Sequence, residues 1–139
     1  PPDHQGVETF QKSKIQWGKR REGVHGTLLA FYRHLITLRK TIPALSHLDK
    51  TCLAVDGFER EKVVCVRRWK DASHVLIIFN FNSACVEIIP PIPDGRWNKI
   101  ADSADKAWHG PGSPTAAKLS SGEKIIVAGY SFVVYNRDE

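Results

Sequence analysis

The chain has 139 residues, 42% of them hydrophobic and 25% charged, with a net charge of +5. That length holds one domain with a real core, and the balance is that of an ordinary globular protein rather than a disordered or collagenous one. No apolar run approaches the roughly 20 residues of a membrane span and no segment has a signal-peptide pattern, so no membrane partner is expected and the cytoplasm is the default compartment.

Residues 1–26 are polar and broken by prolines and glycines, with Phe10, Ile15 and Trp17 as large apolar anchors. This composition predicts an extended, irregular arm that packs on something through a few side chains. The chain contains no methionine and opens Pro1-Pro2, from which a piece of a longer protein is expected. Residues 11–40 hold eight Lys and Arg against the single acid Glu22, a local excess of seven positive charges. Beyond residue 40 the charges nearly balance. Solvated helix flanks account for this better than a nucleic-acid stripe would, so no nucleic-acid partner is expected.

The run 27–45, TLLAFYRHLITLRKTIPAL, has Leu28, Phe31, Leu35, Leu38 and Ile42 at helical spacing, with Leu29, Tyr32 and Ile36 widening the face. Pro43 ends the pattern, because proline lacks an amide hydrogen and drives the residue before it out of helical geometry. One amphipathic helix over 24–42 is therefore predicted. After it the texture becomes β-rich. Strands are predicted at 51–55, 61–69, 74–81, 85–89, 95–101, 124–127 and 129–136. Asp56-Gly57 is read as a tight hairpin turn and 70–73 as the next one. The run 74–81, HVLIIFNF, is apolar almost throughout and is read as a central strand buried on both faces. The stretch 104–122 is a long connection, either a crossover or a functional loop. Together these predict a mainly β chain, an antiparallel Greek-key β-sandwich preceded by one helix, with a boundary that separates 1–45 from 46–139.

Cys52, Cys65 and Cys85 are widely spaced and read as reduced, buried small hydrophobes. The histidines show no metal-ligand spacing, and no phosphate loop or nucleophile elbow is present, so no metal, cofactor or nucleophile is assigned. Glycoside hydrolysis needs two carboxyl groups held across one bond. The near pairs, Glu59 with Glu61 and Asp102 with Asp105, fall beside a turn and in a loop, so no catalytic residue is assigned. Exposed tryptophan stacks on sugar rings, but in a small sandwich most tryptophans pack the core. Of Trp17, Trp69, Trp97 and Trp108, Trp108 in the long loop looks least core-like, and Trp17 in the arm is placed to line a groove of a larger body.

With these residues laid out, the chain resembles the C-terminal end of an α-amylase superfamily enzyme, glycoside hydrolase family 13. The stretch LLAFYRHLITLRKTIPAL is similar to the last helix of that family's catalytic barrel, and the later strands resemble the β-domain that caps those enzymes. Within the family, TFQKSKIQW at residues 9–17 looks most like the malto-oligosyltrehalose trehalohydrolases, although Gln16 stands where their pattern has an acid. The resemblance implies a parent that releases trehalose by the two-carboxylate route, with residues 1–45 as the tail of its barrel and 46–139 as its C-terminal sandwich. It implies that the chain's partner is the catalytic barrel, that an α-glucan is its substrate, and that Ser13, Lys14 and Trp17 lie near the substrate rim. The family's carboxylate motifs do not occur in this sequence. The rival expectation is a stand-alone carbohydrate-binding module that uses Trp108 and Trp97 as stacking platforms. Without a barrel, the helix over 27–42 is expected to turn its apolar face onto the sandwich or onto a second copy.

Overall fold

In the computed structural model, residues 6–137 are described. The arm is more helical than its composition predicts. It contains α1 (Val7–Ser13) and a 3-10 turn (Trp17–Arg21), neither of which buries a residue. The helix α2 (Gly23–Thr41) follows as predicted. Ile42 is extended at φ −91° and ψ 117°, as the residue before a proline must be. Pro43 then opens the short helix α3 (Pro43–Ser46), where its missing amide hydrogen costs nothing. One proline thus ends a helix and starts another.

Among the described residues eight strands come next: β1 (Leu53–Phe58), β2 (Val63–Lys70), β3 (Ser73–Asn80), β4 (Val86–Ile88), β5 (Trp97–Asp102), β6 (Lys118–Leu119), β7 (Ile125–Val127) and β8 (Ser131–Arg137). Six form one antiparallel sheet in the order β1-β2-β3-β8-β5-β6, and β4 pairs with β7 in a second. The turn between β2 and β3 is the expected one, with Asp71 in the left-handed region at φ 52°. The first hairpin differs. Asp56 and Gly57 stay within β1, opposite Cys65 and Val64, and the chain reverses at residues 59–62, where Lys62 takes φ 56°. Extending β1 from 55 to 58, by three residues, carries Phe58 onto the core, which a turn at 56–57 would forfeit.

The middle of the large sheet is buried on both faces because its strands alternate. Leu76 and Ile78 of β3, Val133 and Tyr135 of β8 and Trp97 of β5 meet Ile88 of β4 and Ile125 and Val127 of β7 in the core between the sheets. The intervening Val75, Ile77, Phe132 and Val134 meet Leu35, Leu38, Ile42 and Ala44 of the helices in a second core. The result is three layers, with α2 and α3 outside the large sheet. Arg68 ties this layer down by donating to the His47 carbonyl.

Asn80 closes the end of β3. Its amide donates to the carbonyls of Ala84 (3.0 Å), Val127 (3.1 Å) and Ala128 (2.8 Å), and its Oδ1 accepts from the Asn82 amide at 2.8 Å. This buried side chain joins the two sheets. Asn80→Leu is expected to lower stability by about 2–3 kcal/mol, because it strands those carbonyls away from water, and a urea titration reads the change directly. His74, half-buried on the same strand, is held below its ordinary value of 6.5 by burial first and then by Arg137 and Arg67. The fold therefore favours neutral imidazole. This contribution is complete above the unfolded value and is lost as pH falls through it toward the folded one. Urea midpoints followed from about pH 7 to about pH 5 should fall less steeply for His74→Gln than for the natural chain.

Candidate functional site

Three of the four sequence-predicted binding residues lie in the arm. The Ser13 hydroxyl donates to the Phe10 carbonyl at 2.8 Å and so finishes α1. Lys14 Nζ sits 4.8 Å from the centre of the Phe10 ring, and the Arg20 guanidinium lies 6.0 Å from that of Trp17. Both are cation–π contacts that hold flexible cations over aromatic faces. Trp17 is 66% exposed, so most of its ring is free to meet something else. Between the arm and α2 runs a groove of about 540 Å³, lined by Leu28, Leu29 and Tyr32 of α2 and by Lys12, Lys14, Lys19 and Arg20 of the arm.

Trp108 is elsewhere. It ends a 3-10 turn (Lys106–Trp108) capped by the Asp105 carboxylate, which accepts from Ala107 N, the turn's second amide, at 2.9 Å. Its ring stacks on His34 at 5.6 Å and meets Phe31 at 5.1 Å, both on α2. His34 Nε2 lies 3.3 Å from the Ile100 carbonyl, and His109 Nε2 lies 2.9 Å from Thr27 Oγ1. The geometry gives Trp108 the work of fastening the long loop to the helix. Trp97 is 0% exposed, with Nε1 donating to the Pro93 carbonyl at 3.3 Å. It cannot serve as the stacking platform that the binding-module expectation requires, because both of its faces belong to the core.

The carboxylate pair 102/105 is also occupied. Asp102 is buried, accepts from Ala104 N through Oδ1 at 2.9 Å, and meets Lys99 Nζ (3.5 Å) and the donating Ser113 hydroxyl through Oδ2. Lys99 also donates to Ser113 Oγ (3.0 Å) and to the Thr115 carbonyl (2.8 Å). A buried charge pair of this kind persists only with every lone pair satisfied, and here it pins the long loop to β5. Sequence reasoning missed this network, since residues up to 16 positions apart carry no periodic signal. The cysteines divide. Cys65 is buried, and burial first, then Asp56, pushes its thiol up to about 12. Cys52 is half-buried and Cys85 exposed, against the expectation of three buried thiols. Cys85 precedes the first residue of β4, where the strand has not yet turned a face to the core.

No family model matches the chain. It is 37% identical over 78 residues to the malto-oligosyltrehalose trehalohydrolase of Rhizobium sp. (strain M-11), a match that covers 56% of this chain and 13% of that protein. The trehalohydrolase of Mycobacterium tuberculosis is 39% identical over 67 residues, covering 48% of this chain and 12% of that protein. Among solved structures, an α-amylase from H. orenii superposes with a TM-score of 0.62 at 18% identity, over 97% of this chain and 25% of that one. A putative α-amylase from Salmonella typhimurium gives 0.63 at 24% identity, over 99% and 20%. Sequence and fold fit a C-terminal part of an α-amylase-family protein. The chain thus spans about an eighth of the curated relatives it matches. Among the described residues, no helix is long and apolar enough to cross a membrane.

Exposed Trp17 and half-buried Trp108 separate on stability. Trp108→Ala is expected to cost roughly 2–3 kcal/mol, because it removes the ring between the loop and α2. Trp17→Ala should stay within about 0.5 kcal/mol, as exposed positions do. Thermal unfolding of both variants checks the contrast.

Proposed function

We propose that this chain is the non-catalytic C-terminal portion of a cytoplasmic glycoside hydrolase, a piece of a longer polypeptide whose catalytic barrel cleaves malto-oligosyltrehalose and releases trehalose. The observation that carries the reading is the 37–39% identity to trehalohydrolases from two genera, together with an amylase-like fold over nearly the whole chain. Residues 1–45 form the tail of the barrel and residues 46–139 the supporting β-domain.

The chemistry supports this division of labour. A retaining glycosidase holds two carboxyl groups about 5–5.5 Å apart across the scissile bond, one as nucleophile and one as acid and base. Here Asp102 is spent on Lys99 and Ser113, and Asp105 caps a turn. Both carboxylates thus serve to hold the loop. What the chain supplies is a rigid three-layer body and an arm that presents Ser13, Lys14 and Trp17 at the rim of the parent's glucan site. Trp17, 66% exposed, offers aromatic surface to a glucose ring, with Arg20 against it as a donor to hydroxyls.

The decisive experiment assays the intact polypeptide and the isolated chain on malto-oligosyltrehalose. Trehalose release by the intact polypeptide and none by the chain is expected. Turnover by the purified chain, abolished by a substitution within it, would overturn the reading. Trp17→Ala in the intact polypeptide is expected to raise KM several-fold, with kcat changed by less than about twofold, which is the signature of lost ground-state binding.

A further inference from the structure

The face of the large sheet that meets the small sheet is longer than its cover. β2 and β3 run for eight residues and β8 for seven, whereas β4 and β7 have three each. At about 3.3 Å per residue, β2 and β3 outrun the small sheet by roughly 16 Å, and Asn80 fastens the two sheets at the far end of β3. The overhang is cationic. Counted in twos from Cys65, Leu76 and Tyr135 of the core, the same face carries Arg67 and Trp69 on β2, His74 on β3 and Arg137 on β8. Trp69 stands opposite His74, the pairing of Val75 with Asn136 puts His74 beside Arg137, and Arg67 stands one pleat inward opposite Leu76. All four are half-buried.

The two guanidiniums have no counter-charge. The Arg67 guanidinium carbon lies 5.4 Å from the centre of the Trp69 ring, and its Nε is buried without a hydrogen bond among the described residues. Arg137 lies against the loop at Gly95, where a Cβ would stand 2.5 Å from its Nε. Asp56 is two residues along β1 from Ala54, the register partner of Arg67, and Asp94 adjoins Gly95. Among the described residues, however, neither arginine forms an ion pair. Burial first, then Arg137 and Arg67, hold His74 below its ordinary value, so both positive charges reach the ring. Like charges so placed repel, and an anion between them removes the repulsion.

We propose that Arg67, His74 and Arg137 form a binding site for a phosphoryl group, either free phosphate or a small phosphate monoester. Each guanidinium presents a planar fork of N–H donors that matches phosphate oxygens in pairs, and a neutral imidazole adds one more donor. Charge and shape favour phosphate over a carboxylate. One fork fills both oxygens of a carboxylate, whereas donors on three strands suit a dianion with three terminal oxygens. Two arginines are too few to follow a nucleic-acid backbone. The site lies on the face of the sheet opposite the one that α2 covers, and it stands whether or not the chain belongs to a glycoside hydrolase.

Isothermal calorimetry on this chain tests the site with inorganic phosphate, glycerol 3-phosphate and acetate, in a phosphate-free buffer of low ionic strength. Inorganic phosphate should bind with a dissociation constant of about 1 mM or tighter, and acetate at least about tenfold more weakly. Arg67→Gln and Arg137→Gln should each weaken phosphate binding about tenfold. Arg137→Lys keeps the charge but loses the fork, and should weaken it about fivefold. Lys118→Gln removes a positive charge from β6 and should leave binding within about twofold. Thermal melts without phosphate show whether each variant is folded, and Arg137→Lys carries the test if Arg67→Gln unfolds. Tighter binding of glycerol 3-phosphate than of phosphate assigns the site to an ester and equal binding to the free ion, and both support it. Undetectable phosphate binding, binding indifferent to both arginines, an equal loss in Lys118→Gln or acetate bound as tightly as phosphate overturns the proposal. So does phosphate binding that appears only after Asp138→Asn with Glu139→Gln, since the chain's own acids would then be the anions that the arginines answer.

Discussion

The ladder between β3 and β8, at the middle of the large sheet, is the constraint on which the other parts depend. Paired from Val75 opposite Asn136 to Asn80 opposite Ser131, it sends successive side chains to opposite faces. Val75 and Val134 go to the helices, while Leu76, Ile78, Val133 and Tyr135 go to the small sheet. A slip of one residue would exchange the two sets and leave neither layer with a matching surface. Both cores are therefore set by one register, and the chain folds as three layers because one strand pair is apolar on both sides.

Each remaining element is placed by reference to that pair. Pro43 breaks the helical ladder at the point where the chain must turn, so that α2 lies along the sheet and Ala44 reaches full burial beneath it. Asn80 does for the two sheets what Pro43 does for the helices. It satisfies three carbonyls where the two sheets meet, that of Ala84 before β4 and those of Val127 and Ala128 at the end of β7. The long loop after β5 is held twice, by Lys99, Asp102 and Ser113 inside and by Trp108 against α2 outside. Gly110 within it permits the approach, since a Cβ there would stand 2.3 Å from the Ala104 carbonyl oxygen.

These attachments bear on function. Polar groups that look reactive in isolation, such as Asp102, Ser113 and Lys99, satisfy one another in the interior. Along α2 and the arm, Phe10, Trp17, Leu28, Tyr32 and Ile36 stay exposed, and the groove between them is edged by lysine and arginine.

The amino-acid sequence by itself determined the local elements and the family resemblance. Helical spacing across 27–42, the stop at Pro43, the alternation in β2, the apolar run of β3 and the reversal at Asp71 are short-range properties, each written in residues that are chain neighbours. The same is true of the run 9–45 that carried the likeness to the amylases. Tertiary structure alone decided the division into six and two strands, the course of β1 through Asp56-Gly57, the burial of Trp97, the seating of Trp108 on His34 and Phe31, and the exposure of Cys85. It also decided which of the apolar rows on α2 the sheet would cover. Hydrophobic period names the residues that seek burial, but the partner comes from contacts that close loops of tens of residues, and those contacts leave no trace in local spacing.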